Sequence, residues 1–355
     1  MLEKILDTFY RTFSSDIGID LGTANTLVYV RGKGIVINEP SIVALNRKTD
    51  TVVAVGAQAK AMIGRTPPHV EVIQPLVDGV ISDFEVTEEM LAYLLNKAQM
   101  HSRSFIGPRV VIGVPSGITN VETRAVRDAA RNAGAREVHI VEEPMAAAIG
   151  IKLPVLEPVA TMILDIGGGT SDVAVISLGG VVCSKNLKIA GDRLNSDIIS
   201  YIRNEFKILV GERTAEDVKI AIGSVLADPE GPIESSIRGR DLISGLPREV
   251  TITDADIREA IAPSIENLVD AVKEVLERTP PEMLADVMHR GLYISGGGAL
   301  IRGLDQILEH ALAIPVHMAE DPLTAVARGT GIILEKIEMY EQVLLENEDE
   351  LPQTK

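Results

Sequence analysis

Apolar positions along the chain change their period several times, and the changes mark its elements. After the first fifteen residues, DIGIDLG (16–22) reads as a strand. TLVYVRGKGIVINEP turns at Arg31 to Gly34, and SIVALNRKTDTVVAVG turns at Arg47 to Asp50; both predict hairpins. The period then lengthens, and VTEEMLAYLLNKAQM (86–100) predicts a helix. RVVIGVP (109–115) is short and wholly apolar, as in a strand buried within a parallel sheet. Thr119 and Glu122 supply a T-x-x-E start for the next helix. EVHIV predicts another strand, leading into EEPMAAAIG, where Pro144 suits a first helical turn.

The same order then runs again. ATMILDIG predicts a strand and DVAVISLGGVVCSKNLKIAG a hairpin about Gly179-Gly180. Residues 192–209 and 214–226 predict helices, before a turn-rich stretch at 227–250. From 254 to 278, apolar residues at 257, 261, 265, 268, 272 and 275 predict one helix, kinked at Pro263. GLYISGGGA is strand into glycine turn, and helices are expected at 300–312 and around 323–339. The polar end, ENEDELPQTK, is expected to be disordered. Two halves that open on antiparallel strands and continue as strand–helix alternation predict a duplicated α/β chain, with a ligand cleft between similar lobes.

Composition narrows the chemistry. A chain of 355 residues, 46% hydrophobic and 24% charged, suits a soluble globular protein of about two domains. No apolar run reaches membrane-spanning length and no signal peptide is visible. The single Cys183 excludes an internal disulfide and fits a reducing cytoplasm. A net charge of −17 argues against nucleic-acid binding, and the absence of Trp removes the best stacking platforms. The six histidines (69, 101, 139, 289, 310 and 317) lack metal-ligand spacing, and neither a G-x-S-x-G elbow nor a P-loop is present.

Two stretches carry the candidate chemistry. GIDLGTANT (18–26) and LDIGGGTSD (164–172) each end an apolar run in an aspartate and a turn of glycine and small residues. Such a turn exposes successive backbone N–H groups as an anion nest, and a bare Cα admits close approach. Gly22, Thr23, Ala24 and Asn25, with Gly167, Gly168, Gly169 and Thr170, are read as two grips on a polyphosphate; the competing reading is a pair of ordinary tight turns. Asp20 and Asp165 constrain this reading. A carboxylate ~4 Å from a phosphate oxygen costs about 4 kcal/mol at an effective dielectric near 20, so a cation must lie between. Mg²⁺ suits one or two carboxylates, phosphate oxygens and waters.

With ISGGGALIRGL (294–304) as a third glycine run, the motifs stand in a recognisable order. IDLGTANTLVYVRGKGIVINEPS, VGAQAKAMIGRTP, DGVISDFEVTEEM, VPSGIT, GAREVHIVEEPMAAAIG, LDIGGGTSDVAVISLGG, GERTAEDVK, SGGGALIRGL and EDPLTAVARG together resemble the actin and heat-shock-chaperone ATPase superfamily. Within it they resemble the family of the bacterial actin homologue MreB, over nearly the whole length. The resemblance implies an α/β, actin-like ATPase fold: two duplicated RNase H-like lobes around a nucleotide cleft, each with a small subdomain, binding ATP and Mg²⁺. It places residues 16–36 and 69–148, with a C-terminal helix at 322–340, in subdomain IA and 37–68 in IB. Residues 149–185 and 250–321 fall in IIA and 186–249 in IIB, between a membrane-binding segment at 1–15 and an acidic tail at 341–355.

The resemblance also implies roles. Asp20 and Asp165 would hold hydrated Mg²⁺, and the two glycine turns the phosphates. Glu143 would position the attacking water, with Asp165 and Thr170 beside it in catalysis. The alternative for Glu143 is simple stabilisation of a helix N-terminus, which Glu142 would serve equally. Glu212, Arg213, Thr214, Ala215, Glu216 and Lys219 would frame ribose and adenine above Gly296, Gly297, Gly298 and Ala299. A solvated helix face is the alternative for Glu212, Glu216 and Lys219. The chain departs from the commonest pattern at Ser171-Asp172 and at Ile151-Lys152, neither of which removes an assigned ligand.

The surface carries expectations of its own. Leu2, Ile5, Leu6, Phe9 and Phe13 recur at helical spacing, which suits a helix lying in a membrane interface or, alternatively, a terminal helix packed on its own domain. Phe105 and Ile106 match a hydrophobic loop of the family that would insert beside it; a small internal contact is the other reading. The family pairs protofilaments antiparallel near the helix that carries Val121, although burial of Val121 within its own domain fits the sequence equally. The expected protein is an ATP-dependent filament under the inner membrane, a weak ATPase that works with membrane-bound cell-shape and wall-synthesis proteins. A small-molecule kinase and a chaperone ATPase of the same superfamily are the rivals.

Overall fold

The computed structural model describes residues 16–100 and 107–345. Its packing divides the chain into two units. The first takes the described residues up to Val159, Ile176–Val181 and those from Thr324; the second takes Ala160–Val175 and Val182–Leu323.

The first unit is built on a five-stranded sheet in the order Glu137–Glu142, Arg109–Val114, Ile17–Leu21, Asn25–Val30, Gly34–Pro40. Ile17–Leu21 runs antiparallel to Asn25–Val30 and parallel to Arg109–Val114, so its C-terminal end lies level with that of its parallel neighbour. One face packs on helices Phe84–Met100 and Asn120–Asn132, through Met90, Leu91, Leu94, Val126 and Ala129. Thr119 and Glu122 form the expected reciprocal capping box. Helices Glu143–Gly150 and Ala325–Glu335 meet main chain to main chain: a Cβ on Gly150 would overlap the Ala325 carbonyl, and one on Gly329 the Ala146 carbonyl. A small three-stranded sheet, Thr51–Val55, Val43–Asn46 and Val70–Ile73, closes over Ile42, Ala44 and Ala59 with helix Ala57–Met62. The hairpin Leu76–Val77/Val80–Ile81 follows it.

The second unit repeats the plan. Its five strands lie in the order Gly180–Leu187, Ser171–Ser177, Thr161–Ile166, Leu292–Ser295, Val316–Met318. Counted along each sheet, this is the same order as in the first: third, second and first strands, then two strands from much later in the chain. Its core joins Met162, Leu164, Leu292 and Ile294 to Ile198 and Ile202 of Gly191–Glu205 and to Ile261, Leu268 and Val272 of Asp254–Arg278.

Several elements differ from expectation. The helix from 192 stops at Glu205, because Lys207 at φ 55 turns the chain into the short strand Ile208–Leu209. The stretch 227–250 is largely a hairpin, Glu234–Asp241 against Pro247–Thr253. Asp254–Arg278 continues through Pro263 as one helix. The helix expected at 300 begins at Leu304, after a 3₁₀ turn at Gly297–Leu300 and a left-handed Gly303. The last predicted helix is Ala325–Glu335 with a separate turn at Ile337–Tyr340.

Candidate functional site

In the first unit Asp20 is the fourth residue of the central strand, half-buried, and the turn Gly22 to Asn25 follows directly. Gly22 is obligatory here, since a Cβ would stand 2.7 Å from the Asn25 carbonyl oxygen. Thr23 is buried, and its hydroxyl accepts the Gly79 N–H at 2.9 Å. Ser41 donates from its hydroxyl to the Gly22 carbonyl at 2.6 Å and from its N–H to the Ala24 carbonyl at 3.0 Å.

Glu143 comes to the same end of the sheet by another route. It opens the helix that leaves the strand Glu137–Glu142, and only 8% of it is exposed. The strand between carries Gly113, which is the register partner of both Asp20 and Val141. A Cβ on Gly113 would stand 2.9 Å from Val326 Cγ1 and at an ordinary contact distance, 3.6 Å, from Glu143 Cγ, so the bare Cα admits helix Ala325–Glu335 against this strand. Glu142 is used differently. It accepts the Gly117 N–H at 3.3 Å, and burial raises its carboxyl above the usual range. As the N-cap residue it makes no side-chain cap bond to the helix that follows.

In the second unit Asp165 occupies the matching place on its central strand. It is buried, accepts a hydrogen bond from the Ser295 hydroxyl at 2.6 Å, and burial pushes its carboxyl up to about 6. The turn Gly167 to Thr170 is closed by the Gly167 N–H on the Thr170 carbonyl at 2.8 Å. The start of helix Gly191–Glu205 holds it from behind, Gly191 N–H on the Gly167 carbonyl and Asp192 N–H on that of Gly168. Lys219 reaches this spot from helix Glu212–Ile222 and donates to the Gly191 carbonyl at 2.8 Å. The third glycine run lies against the same strand end. Gly296 has φ +80, and a Cβ there or on Gly298 would run into Ile166.

Thus Asp165, Gly167 to Thr170, Lys219 and Gly296 to Ala299 gather in one unit, and Asp20, Gly22 to Asn25 and Glu143 in the other. Within GERTAEDVK, Thr214, Glu216 and Lys219 are half-buried, Glu212 and Arg213 exposed, and the Ala215 side chain lies in the core. Arg213 pairs with Asp217 at 4.0 Å. Two of the departing residues, Ser171 and Asp172, have structural partners: Ser171 is buried and donates to the Ile189 carbonyl at 2.5 Å, and Asp172 accepts from Asn186. Val121 is 79% exposed and is not a core residue. Leu2, Ile5, Leu6, Phe9, Phe13, Phe105 and Ile106 lie outside the described residues.

Ser41, Thr26 and Ser295 are the site residues that sequence reasoning missed. Each is a buried hydroxyl beside a glycine turn; Thr26 directly follows one in the sequence and Ser295 directly precedes one, whereas Ser41 is brought there by the fold.

The chain matches the family model described as MreB/Mbl protein over residues 14–342. It belongs to the MreB/Mbl family. Among curated MreB/Mbl relatives it is similar to the cell shape-determining protein Mbl of Bacillus subtilis (strain 168), 50% identical, covering 97% of this chain and 99% of the relative. It is likewise similar to the cell shape-determining protein MreB of Escherichia coli (strain K12), 51% identical, covering 95% and 98%. Among solved structures, MreB5 of Spiroplasma citri bound to ADP superposes with a TM-score of 0.87 at 40% identity, covering 93% of this chain and 98% of that one. The fold is therefore the actin-like ATPase fold of this family.

The residues present suit a hard divalent cation. Among the described residues no three His, Cys, Asp or Glu side chains gather as a metal cage. A cation here would rely on one or two carboxylates, phosphate oxygens and water, the usual Mg²⁺ pattern. Asp165 has one oxygen held by Ser295, and its raised pKa marks a carboxylate that a nearby positive charge would stabilise.

Proposed function

We propose that this chain is an ATP-dependent, filament-forming cytoskeletal protein that hydrolyses ATP slowly with Mg²⁺. The observation that carries the reading is the repeated placement of a glycine turn at the C-terminal end of the central strand in two sheets of the same order. Ligands of open α/β sheets bind at such strand ends. MreB5 of Spiroplasma citri has been solved with both ADP and AMPPNP, which supports an adenine nucleotide as the ligand.

In this reading Gly22 to Asn25 and Gly167 to Thr170 donate backbone N–H groups to phosphate oxygens. Asp20 and Asp165 hold the hydrated Mg²⁺, which offsets the phosphate charge when bound. Glu143 accepts a hydrogen bond from the attacking water and orients it, the main requirement for water attack on a phosphoryl group. Glu212, Glu216 and Lys219, with Gly296 to Ala299, take the ribose and base. A second copy of the chain is the first partner, paired near Val121 in antiparallel double protofilaments. The stripe Leu2, Ile5, Leu6, Phe9 and Phe13, helped by Phe105 and Ile106, holds the polymer to the inner membrane, where many copies raise avidity. The wall-synthesis role and its membrane-bound partners follow from the relatives' cell-shape names alone.

Purified chain with ATP and excess Mg²⁺ should bind nucleotide in a calorimeter, form pelletable double filaments and coat lipid vesicles. Deleting residues 2 to 13 should weaken the coating and leave the polymer. Well-folded chain that takes up no adenine nucleotide would overturn the reading.

A further inference from the structure

We propose that Ser41 is a positioning residue for the phosphate turn of the first unit: it aims two backbone N–H groups by holding the carbonyls attached to them. This rests on the nucleotide reading above.

Ser41 lies between the strand Gly34–Pro40 and the small-sheet strand Val43–Asn46, and none of it is exposed. It holds two carbonyls of one turn, Gly22 through Oγ at 2.6 Å and Ala24 through its N–H at 3.0 Å. A peptide unit is planar and trans, so its N–H points opposite to its C=O. Fixing the Gly22 carbonyl therefore fixes the Thr23 N–H, and fixing the Ala24 carbonyl fixes the Asn25 N–H. Both face away from Ser41. An anion nest needs this kind of preset convergence, because a turn free to rotate its peptide planes would lose it on each fluctuation.

The hydroxyl has one proton, and that proton goes to Gly22. In the 2.9 Å contact between Ser41 Oγ and Thr26 Oγ1 the donor must then be Thr26. Thr26 is fully buried as well, so the Thr26–Ser41 link is out of reach of water and the direction of the chain Thr26 to Ser41 to Gly22 is set. On the far side of the turn, the Thr23 hydroxyl accepts from Gly79 at 2.9 Å, which leaves its own proton for a ligand. Gly79 belongs to the turn of the hairpin that brings the chain back from the small sheet. Entry to that sheet at Ser41 and exit from it at Gly79 are thus pinned to one phosphate turn.

The test compares Ser41→Ala and Thr26→Val with unaltered chain in competition binding of ATP and AMP with Mg²⁺, each variant first checked for a cooperative melt. Ser41→Ala should weaken ATP about tenfold, the scale of one lost hydrogen bond to a buried carbonyl, with AMP within about twofold. Thr26→Val should weaken ATP in the same direction, by about threefold, and it keeps the question decidable if Ser41→Ala fails to fold. Equal weakening of ATP and AMP, or no change in ATP, overturns the inference while the nucleotide reading stands. An unaltered chain that binds no ATP overturns both.

Discussion

Ser295 donates a hydrogen bond to Asp165 across a pair of parallel strands, while the residue in the same register beside Asp20 is Gly113. The two central aspartates of a duplicated plan are thus supported differently. In the second unit a hydroxyl steadies the buried carboxylate. In the first, the missing side chain makes room for Val326.

Ser295→Ala should destabilise the nucleotide-free chain by roughly 1–3 kcal/mol, because it strips a donor from a buried carboxylate. Urea unfolding of the second unit checks this. Gly113→Ala should leave that transition unmoved and destabilise the first unit instead, since its Cβ would stand 2.9 Å from Val326 Cγ1.

Two glycines of similar φ should respond unequally to alanine. Gly32 at φ +72 has nothing within 4 Å of its Cβ position, whereas Gly296 at φ +80 would collide with Ile166. Gly32→Ala should cost about 1 kcal/mol from the left-handed backbone alone. Gly296→Ala should cost clearly more and should also depress nucleotide affinity. Paired melting curves would decide; equal shifts would mean the close approach is unimportant.

Glu143→Gln keeps the shape of the side chain and removes its charge. ATP binding should stay within about threefold, and phosphate release should fall by about 10² or more. A steady-state phosphate assay beside a binding isotherm separates the two effects.

On the proposed function, chelating Mg²⁺ with EDTA should weaken ATP by at least about tenfold, because a carboxylate near phosphate oxygens repels them when no cation offsets the charge. Replacing Asp20 by Asn should lessen that dependence on the metal.

Glu137 provides an acid-sensitive point away from the site. Hydrogen bonding from His139 and from Arg109, its register partner, brings its carboxyl down to about 2. A depressed folded-state pKa means that this stabilisation is complete above the ordinary carboxylate range and is lost as pH falls towards 2. Arg109→Met should therefore shift the acid-unfolding midpoint, followed by circular dichroism, by removing a donor that, with His139 and Arg136, holds Glu137 ionised. With Arg109 gone the carboxyl rises back towards its ordinary range, so the midpoint should move to higher pH.

Part of this was plain in the sequence because the signals were local. The T-x-x-E box at Thr119, the all-apolar run at Arg109–Val114 and the two aspartate–glycine turns need only their own neighbours to be read. The hairpin Glu234–Asp241/Pro247–Thr253 was illegible because it buries few apolar side chains, chiefly Ile237 and Ile252, so its alternation is faint. Helix Pro281–Arg290 hid behind Pro280-Pro281, which reads as a loop although proline is well placed in a first turn. Ser41 gave no sign at all, since its worth lies in carbonyls nearly twenty residues away that only the sheet brings to it.

Where helix Glu143–Gly150 crosses Ala325–Glu335, glycines remove the cushion of side chains that would otherwise lie between them. Cushioned helices slide by rotamer changes, but bare backbones in contact have no such play. Such packing couples the two helices, so a tilt of the one that begins at Glu143 would carry the other with it, and the far end of that partner is where Glu335 accepts a hydrogen bond from the hydroxyl of Tyr29 at 2.7 Å.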